Sequence, residues 1–187
     1  MAGKRILSGV QSSGTLHIGN YFGMMRPSLS LQEGNDCFYF IANYHALTSM
    51  HDQAGLKDAT FHVAAAYLAL GLDPQRSTFF VQSDVPQVAE LCWILNCVCP
   101  VSLMEKGTSY KDKIAKGLPA SMGLLDYPVL QAADIVIYDA NLVPVGADQK
   151  QHIEMTRDLA TKFNSTFGQE VLVLPDAHIV PEVAVVP

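Results

Sequence analysis

The sequence predicts an α/β chain built on a parallel sheet, and three observations carry that expectation. Short apolar runs alternate with longer stretches of helical periodicity along the chain. Two of those runs, residues 4–10 and 142–145, pass through a glycine-containing turn into a helix, an arrangement that turns backbone N–H groups toward a ligand. Hydrophobic residues make up 49% of the 187 and charged residues 16%. That is enough apolar side chain for one substantial core, and too few charges for a disordered chain.

Each element has its own justification. Residues 4–10 read as a first strand, broken by the turn Ser12-Ser13-Gly14. A helix is expected over residues 18–33, with Pro27 kinking or restarting it. Residues 36–43, rich in aromatics and Ile, suit a buried strand. An amphipathic helix over 56–70 ends at Gly71, a good C-cap, and residues 77–82 form a third strand. Helices follow over 87–97 and 121–138, separated by the polar, Lys-rich stretch 105–119, which reads as an exposed connection. Residues 142–145 are a short apolar strand, and Gly146 opens a helix running to about residue 163. The tail, 171–187, holds three prolines and ends on an apolar run, so it reads as a chain stopped in mid-strand or mid-loop. No internal repeat or low-complexity tract is visible.

Several classes are disfavoured. No run of roughly 18 apolar residues exists, so no membrane span is expected. Lys4 and Arg5 are followed by Ser8, Gly9, Gln11, Ser12 and Ser13, which argues against a signal peptide and for a cytoplasmic protein. Cys37, Cys92, Cys97 and Cys99 contain no CxxC pair and match no zinc spacing, so no metal site is expected and they read as small buried hydrophobes. The 12 basic residues are outnumbered by 18 acidic ones, a net charge of −6, which is unlike a self-sufficient RNA-binding surface.

The first glycine turn runs Gly9-Val10-Gln11-Ser12-Ser13-Gly14-Thr15-Leu16-His17-Ile18-Gly19-Asn20. It is neither GxGxxG nor a Walker A loop. Gly19 leaves room for an adenine ring near the backbone. His17 and Asn20 are two donors at a helix start, where each charge-assisted bond to a polyphosphate contributes roughly 1.5–3 kcal/mol. The alternative is an ordinary helix-start histidine and an exposed asparagine. The segment resembles the first signature of class I aminoacyl-tRNA synthetases, written HIGH, which stands here as His17-Ile18-Gly19-Asn20. Asn in the last place is a mark of the tryptophanyl branch of that family. The resemblance implies that Gln11, Ser12, Ser13, His17, Gly19 and Asn20 bind ATP, and that His17 and Asn20 stabilise the triphosphate during reaction.

In the second constellation Tyr127, Gln131 and Asp134 stand at i, i+4 and i+7, on one helix face. Asp134 precedes Ile135-Val136-Ile137 and is costly to bury without a donor, while Ala132 and Ala133 leave space beside it. A phenol, an amide and a carboxylate in a roomy pocket suit a small ligand with an amine and a ring N–H. A cap or a salt bridge to a neighbouring helix is the other reading. The stretch is similar to the family's amino-acid-binding helix. The resemblance implies that Asp134 accepts the indole N–H, that Tyr127 and Gln149 face the α-amino group, and that Gln131 lies beside the ring. Tyrosyl relatives commonly have a bulkier aromatic where this chain has Ala133.

In the third, Val143-Pro144-Val145-Gly146-Ala147-Asp148-Gln149-Lys150-Gln151-His152 again runs strand, glycine, helix. Asp148 falls in the first helical turn, where acids are common for dipole reasons, but a carboxylate at a strand's C-terminal edge also suits ribose hydroxyls. The stretch resembles the family's Gly-x-Asp-Gln segment, which implies ATP binding by Gly146, Ala147 and Asp148. Tryptophanyl members often carry Glu where Ala147 stands, so that contact is expected from the backbone. By the same resemblance His45, in Asn43-Tyr44-His45, lies beside the substrate pocket, and Lys113 reaches the leaving pyrophosphate as a catalytic residue. On their own, His45 reads equally as a loop histidine and Lys113 as part of a solvated charge run.

The resemblance spans residue 4 to about 187, with the motifs in order. It implies a Rossmann-like doubly wound parallel sheet forming one catalytic domain over residues 1–187, with a helical connecting insert at about 84–120. The implied reaction is activation of L-tryptophan by ATP, with Mg²⁺ accompanying the nucleotide, then transfer to tRNA(Trp); the implied assembly is a homodimer. The family's KMSKS loop and anticodon-binding domain are missing from these residues, so the chain is expected to bind tryptophan and to charge tRNA poorly. A tyrosyl enzyme, an adenylyltransferase of the HxGH type and a non-catalytic amino-acid sensor are the rival readings.

Overall fold

The computed structural model describes residues 3–117 and 119–179. Five parallel strands form one sheet in the order β3-β2-β1-β4-β5. They are β1 (Arg5–Val10), β2 (Asp36–Ile41), β3 (Thr78–Val81), β4 (Leu142–Val145) and β5 (Asp176–Ile179). Parallel strands need crossovers, and helices on both faces supply the cover. The period of two along β1 sends Ile6 and Val10 to one face and Leu7 to the other. On the first face Ile6, Tyr39 and Ile41 pack against Val63 and Tyr67 of helix α4 (Gln53–Ala69). On the second, Leu7, Phe40 and Val143 meet Ile135 of α8 (Met122–Val136) and Ile153 of α9 (Lys150–Phe167). The doubly wound sheet is as expected.

The remaining helices fall between these. They are α1 (Ile18–Asn20), α2 (Arg26–Leu29), α3 (Asn43–Ala46), α5 (Gln87–Asn96), α6 (Val101–Met104) and α7 (Thr108–Ala115). A third apolar cluster, with Val88, Leu95, Met104, Val129, Ala133 and Leu159 among its members, joins α5, α6, α8 and α9.

Four expectations need correction. The helix expected over 18–33 is three pieces: α1, a π turn (Tyr21–Met25) and α2, which stops at Leu29. Pro27 has no N–H to give, and the wide turn before it, with Arg26 N–H donating to the Tyr21 carbonyl, accommodates the restart. Beyond Leu29, the side-chain amides of Gln32 and Asn35 take the carbonyls of Leu29 and Leu31 and end the helix. The connection expected over 105–119 contains α7, set between Gly107 and the left-handed Gly117 (φ 65°). The prolyl tail adds β5 on the far side of β4, where Arg157 of α9 donates to the Pro175 carbonyl at 2.7 Å and to Asp176 at 2.9 Å. The rest of that tail, residues 180–187, lies outside the described residues. Lastly, Ala132 and Ala133 leave no space beside Asp134. Both are buried in the third cluster, packed toward α5 and α9.

Smaller shifts have local causes. Helix α4 starts at Gln53 because the Asp52 carboxylate accepts from Gly55 N–H at 2.7 Å, and α9 runs on to Phe167, stopped by left-handed Gly168. The chain leaves β2 at Ile41 to enter α3, so the expected strand ends before residue 43. Among the described residues no helix is long and apolar enough to cross a membrane.

Two outcomes follow from this packing. Ala133 is 0% exposed, so Ala133→Leu should overpack the α8–α9 contact and cost about 1–3 kcal/mol in urea denaturation; an unchanged midpoint would mean the space is open after all. The Cys92 thiol is pushed up to about 12 by burial and by the carboxylates of Asp126 and Asp134. Its thiolate fraction at pH 8 is then on the order of 10⁻⁴. Iodoacetamide labelling read by mass spectrometry should therefore modify exposed Cys97 well before Cys92.

Candidate functional site

The strand order reverses between β1 and β4, and a cleft opens there at the carboxyl ends of the strands, where open α/β sheets bind ligands. Its volume is about 500 Å³, within the range of small-molecule sites. Gly9, Phe40 and Val143 form the floor, with Gly23 and Met24 of the π turn on one side. Gly9 is required by packing: a Cβ there would stand 2.4 Å from the Phe40 ring, which lies across it and stacks on Phe80.

Helix α8 supplies the wall facing that floor. Ser121 caps it by accepting from Leu124 N–H, and it continues through Pro128. The i, i+4, i+7 spacing brings Tyr127, Gln131 and Asp134 to the cleft together, joined by His45 of α3 and by Gln149 and His152 at the start of α9. The Tyr127 hydroxyl is hydrogen-bonded to His152 Nε2 at 2.5 Å.

Asp134 is the chemically demanding group. It is 2% exposed, and two side chains hold it. His45 Nε2 lies 2.8 Å from Oδ2, and the Gln82 amide donates to both oxygens at 2.8 and 2.9 Å. Burial raises the carboxyl above the usual range; the hydrogen bond and charge of His45, then the Gln82 hydrogen bond, act the other way. No lysine or arginine pairs with it among the described residues, so its acceptor capacity is not cancelled by a fixed cation.

The first signature is arranged differently. His17 caps α1 by accepting from Gly19 N–H at 3.1 Å, while Asn20 Oδ1 accepts from His17 N–H at 2.9 Å. The space above Gly19 that was expected to take an adenine holds the His17 ring, 2.9 Å from where a Cβ would stand. With Nδ1 accepting, Nε2 carries the proton of a neutral ring and is the donor left to face outward. His17, Gly19, Asn20, Ser12 and Ser13 do not line the cleft, whereas Gln11 does, its amide donating to the His45 carbonyl at 3.3 Å. Ser12 is fully buried, and its hydroxyl has no hydrogen-bond partner among the described residues. Gly146 lines the cleft and Ala147 is exposed in a 3₁₀ turn (Ala147–Gln149); the side chain of Asp148 lies outside the described part of the structure. Lys113 sits on α7, away from the cleft wall.

Sequence reasoning missed Gln82, His152, Gly9 and the π-turn residues Gly23 and Met24. Gln82 had a readable signal: it is a polar residue at the carboxyl end of a strand, followed by Ser83-Asp84. A second groove of about 520 Å³ runs between α9 and β5. Four of its charges are paired, Lys150 with Glu154 and Arg157 with Asp176, and none of the candidate site residues lines it.

With the geometry in place, comparison with known proteins is informative. The family model described as tRNA synthetases class I (W and Y) matches residues 3–185. The tryptophan–tRNA ligase of Fusobacterium nucleatum is 58% identical over 184 residues, covering 98% of this chain and 57% of that protein. The crystal structure of tryptophanyl-tRNA synthetase from Campylobacter jejuni superposes with a TM-score of 0.92 at 52% identity, covering 98% of this chain and 57% of that one. A structure of the Campylobacter jejuni enzyme complexed with ADP and tryptophan gives a TM-score of 0.90 at 54% identity, covering 96% and 56%. This chain thus spans little more than half the length of these relatives. A family match over nearly the whole chain, on a sheet wound as the motifs require, makes it a member of the class I tRNA synthetases of the tryptophan and tyrosine group.

Proposed function

We propose that this chain is the nucleotide-binding catalytic domain of a tryptophanyl-tRNA synthetase, which activates L-tryptophan with ATP and, in the full-length enzyme, transfers it to tRNA(Trp). The observation that carries the reading is Asp134: a buried carboxylate with neutral or titratable donors behind it, at the wall of a largely apolar cleft. An indole offers one N–H on an otherwise apolar double ring, which is what such a wall accepts. The identity to tryptophan–tRNA ligases and the likeness to a relative holding ADP and tryptophan support it.

The chemistry divides among the elements. In the adenylation step a tryptophan carboxylate oxygen attacks the α-phosphorus of ATP, the bond to the β,γ-phosphates breaks, and pyrophosphate leaves. No side chain needs to form a covalent intermediate, so positioning and charge stabilisation supply the rate. Asp134 takes the indole N–H, Tyr127 and Gln149 face the α-amino group, and Gln131 and His45 flank the ring. Gln11, the Ser12-Ser13 turn, Gly19 and the segment Gly146-Ala147-Asp148 cradle ATP; His17, Asn20 and Lys113 neutralise the triphosphate. His17 Nδ1 accepts from Gly19 N–H and Asn20 Oδ1 accepts from His17 N–H, so His17 Nε2 and the Asn20 side-chain NH₂ are the donors these two residues keep for the triphosphate. Mg²⁺ enters with ATP as part of the substrate.

The wider assembly follows from surface chemistry. A net charge of −6 supports a reading in which most tRNA contacts are made by other parts of the full-length enzyme, and the compartment proposed for it is the cytoplasm. Residues 84–120 form the connecting insert. Within it the apolar side chains of Trp93, Ile94 and Val101 are exposed, Trp93 to 71%, which supports a homodimer.

Titration calorimetry of tryptophan on the 187-residue chain and its Asp134→Asn variant tests the reading. One charge-assisted hydrogen bond is worth roughly 1.5–3 kcal/mol, so affinity should fall about 10- to 150-fold. In the wild type, affinity should also fall as pH drops, beginning above the ordinary carboxylate range because burial raises Asp134. Equal affinities for the two proteins, or tighter binding of tyrosine than of tryptophan, would overturn it.

A further inference from the structure

The structure points to Gln82 as the positioning residue of the selectivity carboxylate: we infer that its amide holds Asp134 so that Oδ1 is the oxygen left to accept the ligand's ring N–H. The inference rests on the tryptophan-activating reading and adds a residue and an atom to it.

Gln82 closes β3 at the carboxyl edge of the sheet and is 0% exposed, behind the cleft wall. Its amide cannot be flipped without loss. Backbone Tyr44 N–H, which can only donate, points at Oε1 at 2.9 Å, so Nε2 must face Asp134. A second pair ties the same two elements: Asn43 Nδ2 donates to Ser83 Oγ at 2.8 Å, and Ser83 N–H donates to Asn43 Oδ1 at 3.1 Å. Helix α3, which carries His45, is thereby clamped to the turn that carries Gln82, and both converge on Asp134.

The acceptor inventory then separates the two oxygens. Among the described residues, Oδ2 faces both His45 Nε2 and Gln82 Nε2, and Oδ1 faces Gln82 alone. Lone-pair capacity therefore remains on Oδ1. An amide suits this place better than a cation would. It supplies a donor and fixes the carboxylate plane while leaving the negative charge available to the ligand. Lysine or arginine here would neutralise the group the ligand needs.

The surroundings of Asp134 allow a test by pH. The groups facing it are His45 from α3, Cys92 from α5 and Tyr138 just past α8, with Tyr127 and His152 along the same cleft. Cys92 and Tyr138 are each pushed up to about 12, chiefly by burial, and stay neutral through the neutral range.

Tryptophan binding is measured by calorimetry between pH 6 and 8.5 for wild type, Gln82→Met, Gln82→Glu and Asp134→Asn, with circular dichroism confirming each fold. Gln82→Met keeps the volume and removes the donor. Its affinity should fall roughly ten-fold, and its loss toward acid should begin at higher pH than in wild type, because the ionised carboxylate has lost a hydrogen bond. Gln82→Glu should show the opposite slope. At low pH the introduced carboxyl group is protonated and donates to Asp134 in place of the amide; at high pH two facing carboxylates repel, so binding should strengthen as pH falls. A residue that merely filled space would give both variants one common pH trend. Two folded variants that bind as wild type does, or that share the wild-type slope, would overturn the assignment while leaving the function intact, provided Asp134→Asn still weakens binding. Failure of wild type itself to bind tryptophan would remove the functional reading, and this inference with it.

Discussion

A carboxylate at 2% exposure has lost almost all of its hydration, and the surrounding structure must replace it with donors held in place. Around Asp134 those donors come from two strand ends. Gln82 sits where β3 stops, and His45 sits one turn into α3, after β2 stops. The sheet therefore does more than fill the core. Its parallel register sets the carboxyl edges of β2 and β3 side by side, from Phe38 against Thr78 to Ile41 against Val81, and the two polar groups leave the sheet at one level. The polar partners of Asp134 depend on that alignment.

The helix carrying Asp134 is held from behind by an apolar cluster rather than by polar contacts. Val129, Ala132, Ala133 and Val136 bury against α5 and α9, so the opposite face of α8, with Tyr127, Gln131 and Asp134, is presented to the cleft. Small alanines serve close helix packing here, which is a different task from making room for a ligand. The first glycine turn is held by local contacts instead. The His17 ring accepts from Gly19 N–H, Asn20 accepts from His17 N–H, Ser12 is buried with no hydroxyl partner among the described residues, and a π turn carries Gly23 and Met24 to the rim.

Much of this was legible in the residues. The 2-fold period of Ile6-Leu7 and the aromatic run of β2 announced buried parallel strands, and an Asp followed by Ile-Val-Ile announced a carboxylate in need of partners. The i, i+4, i+7 face of α8 followed from helix geometry alone. What could not be read required knowing which segments meet. Gln82 lies 52 residues from Asp134, and no local pattern pairs them. The direction of Ala133 depended on the packing of α5, and the fate of Gly19 on a ring two residues away folding back over it. The π turn arises because a proline is placed where a regular helix would need its N–H, and periodicity is blind to that. The short strand β5 follows a proline and has no marked alternation of its own; its place is supplied by the open edge of β4.

If Asp134 accepts the indole N–H as proposed, that hydrogen bond can be observed directly with tryptophan labelled at the indole nitrogen with ¹⁵N. In the ¹H–¹⁵N spectrum of the complex, a single indole resonance is expected, shifted downfield of free tryptophan and slow to exchange with solvent. A bound indole resonance at the free position, exchanging as fast as in water, would contradict the account, because the nitrogen would then lie away from the carboxylate around which the cleft is built.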